Sequence, residues 1–298
     1  MSNNIPDEIL DPVMLASLEG LDLRARKLVD GYLSGHHRSA GRGYSAEFAE
    51  HREYTPGDDL RYIDWKIYGR TDKVYLKQSE AETDLVCMLM VDASESMAYQ
   101  SDPASLSKWE YAQCLAVAFA HLVLRGGDRV SLVTAGNETC RQLPASNRQG
   151  MRLQLIHSLE QTHCRGNTSI GDSLQELAGC LRQRSVVIVI SDLLDQVERV
   201  LAGLKHLSYQ RHEVMVLQLL DPAELDFPFE RTAQFQGLES LGNLVAQPRG
   251  IRQAYLAAME NFLQKIRAGC RNEQVDYLLV RTDQSPVLAL KQLLTRRP

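Results

Sequence analysis

Residues 85–96 read LVCMLMVDASES, in which seven apolar residues are followed by a carboxylate and, at alternate positions, two hydroxyls. A continuous apolar run between polar flanks is typical of a strand that is buried on both faces of a parallel sheet. Asp92, Ser94 and Ser96 would then lie in the loop beyond the tip of that strand. Ligands of open α/β sheets bind outside the carboxyl ends of the strands, so this loop is the first candidate site.

The chain beyond this strand predicts an α/β fold. Further strands are expected over residues 129–134, 185–190, 214–220 and 275–280, and helices over residues 109–124, 148–159, 170–182, 195–207, 251–270 and 286–295. Such alternation favours a mostly parallel sheet with helices on both faces. We expect this main domain to occupy residues 83–298, with a small insertion near residues 222–250.

Residues 1–82 have a different pattern. Apolar residues at helical spacing predict an N-terminal helix over residues 12–33. Residues 34–82 hold turn signals and short β-prone runs, which indicate a small β-rich lead-in packed on the main domain. The charged block of this lead-in would either lock it onto that domain through ion pairs or bind a partner; its residues are Arg52, Asp58, Asp59, Arg61, Asp64, Trp65 and Arg70.

The composition excludes several classes of protein. The formal net charge is -5, which argues against a protein that grips nucleic-acid phosphates through a basic face. No apolar run reaches the roughly 18 residues of a membrane span, and the polar start does not resemble a secretory signal. The six cysteines include no C-x-x-C pair, which favours reduced thiols and a cytoplasmic location, with contact to a membrane only through partners.

Three polar loops offer the ligands of a hard metal ion. Asp92, Ser94 and Ser96 follow the first buried strand, Thr168 lies in a Gly-rich loop before a helix, and Asp192 follows the strand over residues 185–190. If the loops converge, their carboxylate and hydroxyl oxygens suit Mg²⁺, with Mn²⁺ or Ca²⁺ as alternatives. Two carboxylates leave such an ion short of ligands, so a carboxylate from a partner could complete the coordination. The alternative is that Asp92 and the serines only cap a helix and satisfy loop amides.

This arrangement resembles the metal-ion-dependent adhesion site of von Willebrand factor A domains. The Asp-x-Ser-x-Ser string, the threonine in a Gly-rich loop and Ser191-Asp192 occur in the order of that site. The resemblance implies a non-enzymatic domain that binds partners through a metal ion, with Glu95 near the contact. Two positions depart from the pattern: Arg165 precedes Gly166 where a second glycine is common, and Leu193 follows Asp192 where a glycine is common.

A second resemblance covers residues 21–296 and is strongest in the lead-in. Gly41-Arg42-Gly43, Pro56-Gly57-Asp58-Asp59 and Ile63-Asp64-Trp65 are similar to the bacterial "domain of unknown function 58" family. In that family this block precedes a von Willebrand A-like domain. The resemblance implies a partner, a MoxR-type AAA+ ATPase, together with membrane-anchored von Willebrand A proteins. The implied role is an adaptor in complex maturation, protein remodelling or stress response. Many members of the family carry N-terminal membrane helices, and this chain is expected to have none.

Two other functions remain open at this point. One is a Mg²⁺-dependent hydrolase that uses Asp92 and Asp192, with Asp195 or Asp172 as the general base. The other is a structural scaffold whose metal site stays empty. A nucleotide-binding enzyme is not expected, because the sequence contains no P-loop and no Gly-x-Gly-x-x-Gly after a strand.

Overall fold

The computed structural model describes residues 12–39, 51–53, 75–77, 85–136, 141–166, 169–229, 233–235, 244–246 and 248–294. The chain divides into two compact units, one of residues 1–35 and 85–298, the other of residues 36–84. In the smaller unit, strands β1 (His51–Glu53) and β2 (Tyr75–Lys77) form an antiparallel pair. The larger unit therefore includes the N-terminal helical segment, which the sequence pattern had grouped with the lead-in.

The larger unit is built on a mixed, mostly parallel sheet of six strands. Its strands are β3 (Val86–Asp92), β4 (Arg129–Ala135), β5 (Arg141–Ser146), β6 (Val186–Ser191), β7 (Glu213–Leu220) and β10 (Asp276–Arg281). Their spatial order is β10-β7-β6-β3-β4-β5, and only the pairing of β5 with β4 is antiparallel. The predicted α/β fold with a mostly parallel sheet is confirmed. Because β3 lies between β4 and β6, its tip is near the middle of the sheet edge.

Nine α-helices are found among the described residues, eight of them wholly within the larger unit and α2 running four residues beyond it. They are α1 (Pro12–Ser17), α2 (Leu21–Ser39), α3 (Lys108–Arg125), α4 (Met151–Glu160), α5 (Ile170–Cys180), α6 (Val197–Tyr209), α7 (Pro222–Asp226), α8 (Pro248–Asn272) and α9 (Pro286–Leu294). A short 3₁₀ turn, Glu95–Ala98, follows β3. None of the helices described is both long and apolar enough to cross a bilayer.

Two apolar cores lie on opposite faces of the sheet, and β3 contributes to both. Cys87, Leu89 and Val91 pack in the core that includes α1, α2, α3, α4 and α9. Met88 and Met90 pack in the other, which includes α5, α6 and the end of α8. Alternate residues of a strand point to opposite faces, so a strand covered on both sides must be apolar throughout. This explains why the run over residues 85–91 contains no polar residue.

Several local predictions need correction. The helix expected over residues 12–33 is two helices, because Gly20 has φ +86°, a left-handed conformation that breaks helical continuity. Strand β5 was not predicted: it is largely polar and contains Pro144, a residue that sheets accept mainly in edge strands. The expected hairpin in the insertion is present as β8 (Ala233–Phe235) paired antiparallel with β9 (Leu244–Ala246).

Candidate site at the strand tips

The loops that follow β3, β4 and α4 meet at one edge of the sheet. The backbone N–H of Ala93 donates to the carbonyl of Ala135, the last residue of β4, at 2.8 Å. Glu95 N–H donates to Gly166 O at 3.2 Å, and Arg165 N–H donates to Ala93 O at 3.3 Å. The Asp-x-Ser-x-Ser loop is therefore held on both sides by main-chain hydrogen bonds, to the tip of β4 and to residues 165–166.

The four predicted ligands that the structure describes form one hydrogen-bonded chain. Ser94 Oγ and Ser96 Oγ lie 3.0 Å apart, and Ser96 Oγ donates to Asp192 Oδ2 at 2.7 Å. Asp92 Oδ1 accepts from Ser94 N–H at 2.8 Å, and Asp92 Oδ2 accepts from Ser191 Oγ at 2.6 Å. All these side chains are buried, with Asp92 and Asp192 each 2% exposed. The tips of β3 and β6 are thus joined through side chains as well as through the sheet.

Of the remaining predicted site residues, the structure describes only Glu95 and the backbone of Arg52. Thr168 lies outside the described residues, two positions beyond Gly166. Glu95 is half-buried in the 3₁₀ turn between the two serines. The backbone of Arg52 lies in β1 of the smaller unit. The other members of the predicted partner block lie outside the described residues: Asp58, Asp59, Arg61, Asp64, Trp65 and Arg70.

Asp92 has no positively charged partner among the described residues. Burial, and next the negative charge of Asp192, raise the pKa of Asp92 from 3.8 to about 7. The hydrogen bonds from Ser191 and Ser94 oppose this rise but come from neutral groups. A buried carboxylate without a positive partner is costly. A cation beside Asp92 would relieve that cost.

Asp192 differs from Asp92 because it has a positive partner, Lys108, which the sequence analysis did not identify. The ammonium of Lys108 lies 2.8 Å from Asp192 Oδ2 and 2.6 Å from Glu224 Oε1. The Lys108 side chain is 0% exposed. Burial alone would lower the pKa of this amine, but the charges of Asp192 and Glu224 outweigh burial and raise it, so Lys108 stays charged.

Glu224, the second carboxylate that contacts Lys108, connects the site to the tip of β7. Glu224 Oε2 accepts from Asp221 N–H at 2.8 Å, which forms the capping box at the start of α7. Asp221 Oδ2 accepts from Ser101 N–H at 3.0 Å, in the loop between the 3₁₀ turn and α3. Burial raises the pKa of Glu224 more than the nearby ammonium lowers it. Hydrogen bonds therefore join the tips of β3, β6 and β7.

Leu193 stands where a glycine is common in von Willebrand A sites, and the structure shows how leucine is accommodated there. Leu193 has φ +57°, the left-handed region that glycine adopts most readily. Its N–H donates to Ser191 Oγ at 2.9 Å, and the next N–H, of Leu194, donates to Asp192 Oδ1 at 3.0 Å. The Leu193 side chain is fully buried in the core on the α5 and α6 face, which offsets a backbone strain of about 1–3 kcal/mol. The turn that orients Ser191 and Asp192 is thus kept without glycine.

The donor set fits a hard divalent cation rather than zinc. Within the part of the chain that the structure describes, no three His, Cys, Asp or Glu side chains come together as ligands of one ion. The available donors are the Asp92 carboxylate and two hydroxyls 3.0 Å apart. Mg²⁺ accepts such oxygen donors, keeps several waters and needs only one or two carboxylates. Asp92, Ser94 and Ser96 are therefore the residues that would hold it.

Asp195 and Asp172, the residues expected to act as a base in a hydrolase, each contact other protein groups. Asp195 Oδ2 accepts from Ser169 Oγ at 3.0 Å and from Gly171 N–H at 3.1 Å, so this carboxylate orders the start of α5. Asp172 is exposed and lies 3.4 Å from Arg199. Cys164 is near the two site carboxylates, but burial and then their charges raise its pKa to about 12. Its thiol therefore stays protonated at neutral pH.

The fold and site together define an α/β protein whose candidate centre is a set of buried acidic and hydroxyl side chains at the strand tips. The chain belongs to the family described as Protein of unknown function DUF58, whose model matches residues 50–262. The family expected from residues 41–65 and the strand-tip motifs is thereby confirmed.

Other comparisons give relatives and similar structures. Uncharacterised proteins of Mycobacterium tuberculosis and Mycobacterium bovis are each 29% identical over 241 residues, which cover 78% of this chain and 73% of theirs. The crystal structure of BatB from Bacteroides thetaiotaomicron is 18% identical, with a TM-score of 0.48, over 71% of this chain and 98% of that one. The SpRpn10 VWA domain is 16% identical, with a TM-score of 0.41, over 70% and 94%.

Proposed function

We propose that this protein is a non-enzymatic adaptor that binds a partner protein through a divalent cation at the strand tips. Asp92, Ser94 and Ser96 contact Mg²⁺ directly in this account, and Mn²⁺ or Ca²⁺ can replace it. Thr168 contributes directly or through water, and Asp192 orients a water ligand. An Asp or Glu of the partner supplies the remaining position, so the cation links two surfaces that would otherwise repel.

The single observation that carries the proposal is that, of the two buried carboxylates, Asp192 has a positively charged partner and Asp92 has none among the described residues. Asp192 has the ammonium of Lys108 at 2.8 Å, whereas Asp92 receives hydrogen bonds only from neutral groups of Ser94 and Ser191 among the described residues. The negative charge of Asp92 therefore lacks a counter-ion at the position where Ser94 and Ser96 offer two more oxygens. Burying an uncompensated carboxylate is unfavourable, so a bound cation stabilises this arrangement.

The partner we propose is a MoxR-type AAA+ ATPase, with membrane-anchored von Willebrand A proteins as further members of the assembly. The family assignment supports this proposal, because the resemblance that predicted the family also implied that partner. Residues 41–82 and Glu95 would add contacts outside the metal centre. In this account the protein acts in the cytoplasm and reaches the inner membrane only through its partners.

The test is affinity capture from native lysate with Mg²⁺ or with EDTA. We expect the wild-type chain to recover the ATPase only with Mg²⁺, and Asp92→Ala and Ser94→Ala to lose it while keeping their fold. Ser208→Ala is the matched control. Ser208 lies in the last turn of α6, outside the strand-tip site, and its hydroxyl donates to the carbonyl of Glu273. Capture by well-folded Asp92→Ala, or capture that EDTA leaves unchanged, would contradict the proposal and favour a scaffold without a metal.

A further inference from the structure

Lys108 occupies an unusual place for a lysine. It is the first residue of α3 and follows the N-cap residue, Ser107. Ser107 and Glu110 form a complete capping box. The positive end of the helix dipole disfavours a cation in the first turn. Lys108 is nevertheless fully buried, which lysine almost never is unless it is paired. Its position is therefore explained by its contacts with Asp192 and Glu224, not by the requirements of the helix.

The contacts of Asp192 leave little capacity for a metal. Asp192 Oδ2 accepts from both Lys108 Nζ at 2.8 Å and Ser96 Oγ at 2.7 Å. Asp192 Oδ1 accepts from Leu194 N–H at 3.0 Å. The carbonyl of Asp192 is also fixed, because Gln218 Nε2 donates to it at 2.8 Å. Both side-chain oxygens thus have protein donors, and the backbone that carries them is anchored to β7.

We propose that Lys108 is a positioning residue of the metal centre, a tethered cation that keeps Asp192 out of direct coordination and lowers the affinity of the isolated chain for divalent cations. The inference rests on the proposed function, since it concerns the same site. Two carboxylates, those of Asp192 and Glu224, share the one ammonium of Lys108 in this arrangement. A fixed ammonium close to the site also repels an entering cation. Tight binding then depends on the carboxylate that a partner adds.

The decisive variant is Lys108→Met, which keeps the length and apolar stem of the side chain and removes its charge. The probe is Mn²⁺ alone, titrated into the purified chain and followed by electron paramagnetic resonance. We expect Lys108→Met to bind one Mn²⁺ at least about tenfold more tightly than wild type, because Asp192 is released and a repelling charge is removed. A purely structural lysine predicts the opposite sign, since loosened loops would weaken the site.

Two further variants keep the test valid if Lys108→Met folds poorly. The double variant Lys108→Met with Glu224→Gln removes one positive and one negative charge, so the net charge of the cluster is that of wild type. We expect it still to bind Mn²⁺ more tightly than wild type, because Asp192 is released in it as well. Glu224→Gln alone leaves the ammonium to Asp192 and should bind Mn²⁺ more weakly than wild type. Near-ultraviolet circular dichroism reports whether each variant is folded.

The outcomes separate this inference from the proposed function. If neither Lys108→Met nor the double variant binds Mn²⁺ more tightly than wild type, the proposed role of Lys108 is overturned, and the metal site itself is unaffected by that result. Affinity that rises in Lys108→Met but returns to the wild-type value in the double variant shows a net-charge effect and also overturns the positioning role. Absence of a one-to-one Mn²⁺ site in every folded variant contradicts the proposed function itself.

Discussion

The hydroxyl of Ser191 donates to Asp92 Oδ2 at 2.6 Å and thereby joins the tip of β6 to the tip of β3. The same hydroxyl accepts from Leu193 N–H at 2.9 Å, so one serine orders both the acidic loop and the turn after β6. Asp92 is held in place but its charge is not neutralised by this contact. The geometry of the site is therefore already ordered, while the charge of Asp92 is uncompensated among the described residues.

The first prediction concerns pH. Burial and Asp192 raise the pKa of Asp92 in the folded protein from 3.8 to about 7. Between these values the folded state keeps a proton that the unfolded state has lost, so the free energy of unfolding should fall as pH rises through this window. Asp92→Asn removes this titration. We expect the variant to be more stable than wild type at pH 8 in EDTA, by on the order of 2–4 kcal/mol, with a smaller difference at pH 5.

The measurement is urea unfolding of both proteins at the two pH values. His121 and His212, whose pKa values burial lowers, also make stability depend on pH. Their contribution cancels when wild type and Asp92→Asn are compared at the same pH. A variant that is less stable than wild type at pH 8 would show that the Asp92 carboxylate is satisfied without a metal.

The second prediction concerns the stability given by the buried ion pairs. Lys108→Met should lower the free energy of unfolding by about 3–5 kcal/mol, because it leaves Asp192 and Glu224 buried without a positive partner. Glu224→Gln should cost less, since its amide oxygen can still accept from Asp221 N–H at the start of α7. In the double variant we expect a loss clearly smaller than the sum of the two single losses. Additive losses would indicate that Lys108 and Glu224 do not interact in solution.

The third prediction concerns the packing of α5 on α6, next to the loop that carries Thr168. A Cβ on Gly203 would lie 2.5 Å from the Cβ of Leu174 and 3.1 Å from Gly171 O. Gly203→Ala should therefore force the helices apart and cost about 1–3 kcal/mol. Gly179→Ala is the matched control, because it lies on an exposed turn of α5 with nothing within 4 Å of its added Cβ. It should be neutral or stabilise by up to about 1 kcal/mol.

Thermal or urea unfolding of the two glycine variants gives the comparison directly. Equal stability of Gly203→Ala and Gly179→Ala would mean that the close approach of the helices does not exist. A change in Mn²⁺ affinity in Gly203→Ala alone would additionally show that the position of α5 affects the metal centre.

The sequence was sufficient to predict the sheet and the order of its main elements. The run over residues 85–91 is apolar at every position, which is required of a strand covered on both faces, and its polar end led to the candidate site. Strand β5 was not predicted because an antiparallel edge strand is only partly covered by other elements and therefore needs no apolar pattern. The break at Gly20 was missed because the helical spacing of apolar residues continues across it.

The site was predictable only where its residues follow a strand tip in a recognisable string. Lys108 and Glu224 have no such signal, since a lysine in the first turn of a helix usually lies in solvent. The one available hint was the unfavourable pairing of a lysine with a helix N-terminus, directly after a serine N-cap. Recognising that Lys108 meets Asp192, 84 residues away, requires the folded chain.

The most direct test of a cation site at the strand tips is a Mg²⁺ titration of the isotope-labelled chain followed by amide nuclear magnetic resonance. We expect saturable shifts at one Mg²⁺ per chain, confined to amides such as Ser94, Glu95 and Leu194. Asp172→Asn, which alters an exposed carboxylate on α5, should behave like wild type, and Asp92→Asn should lose the response. Shifts scattered over the acidic surface, or an unchanged response in Asp92→Asn, would contradict the account.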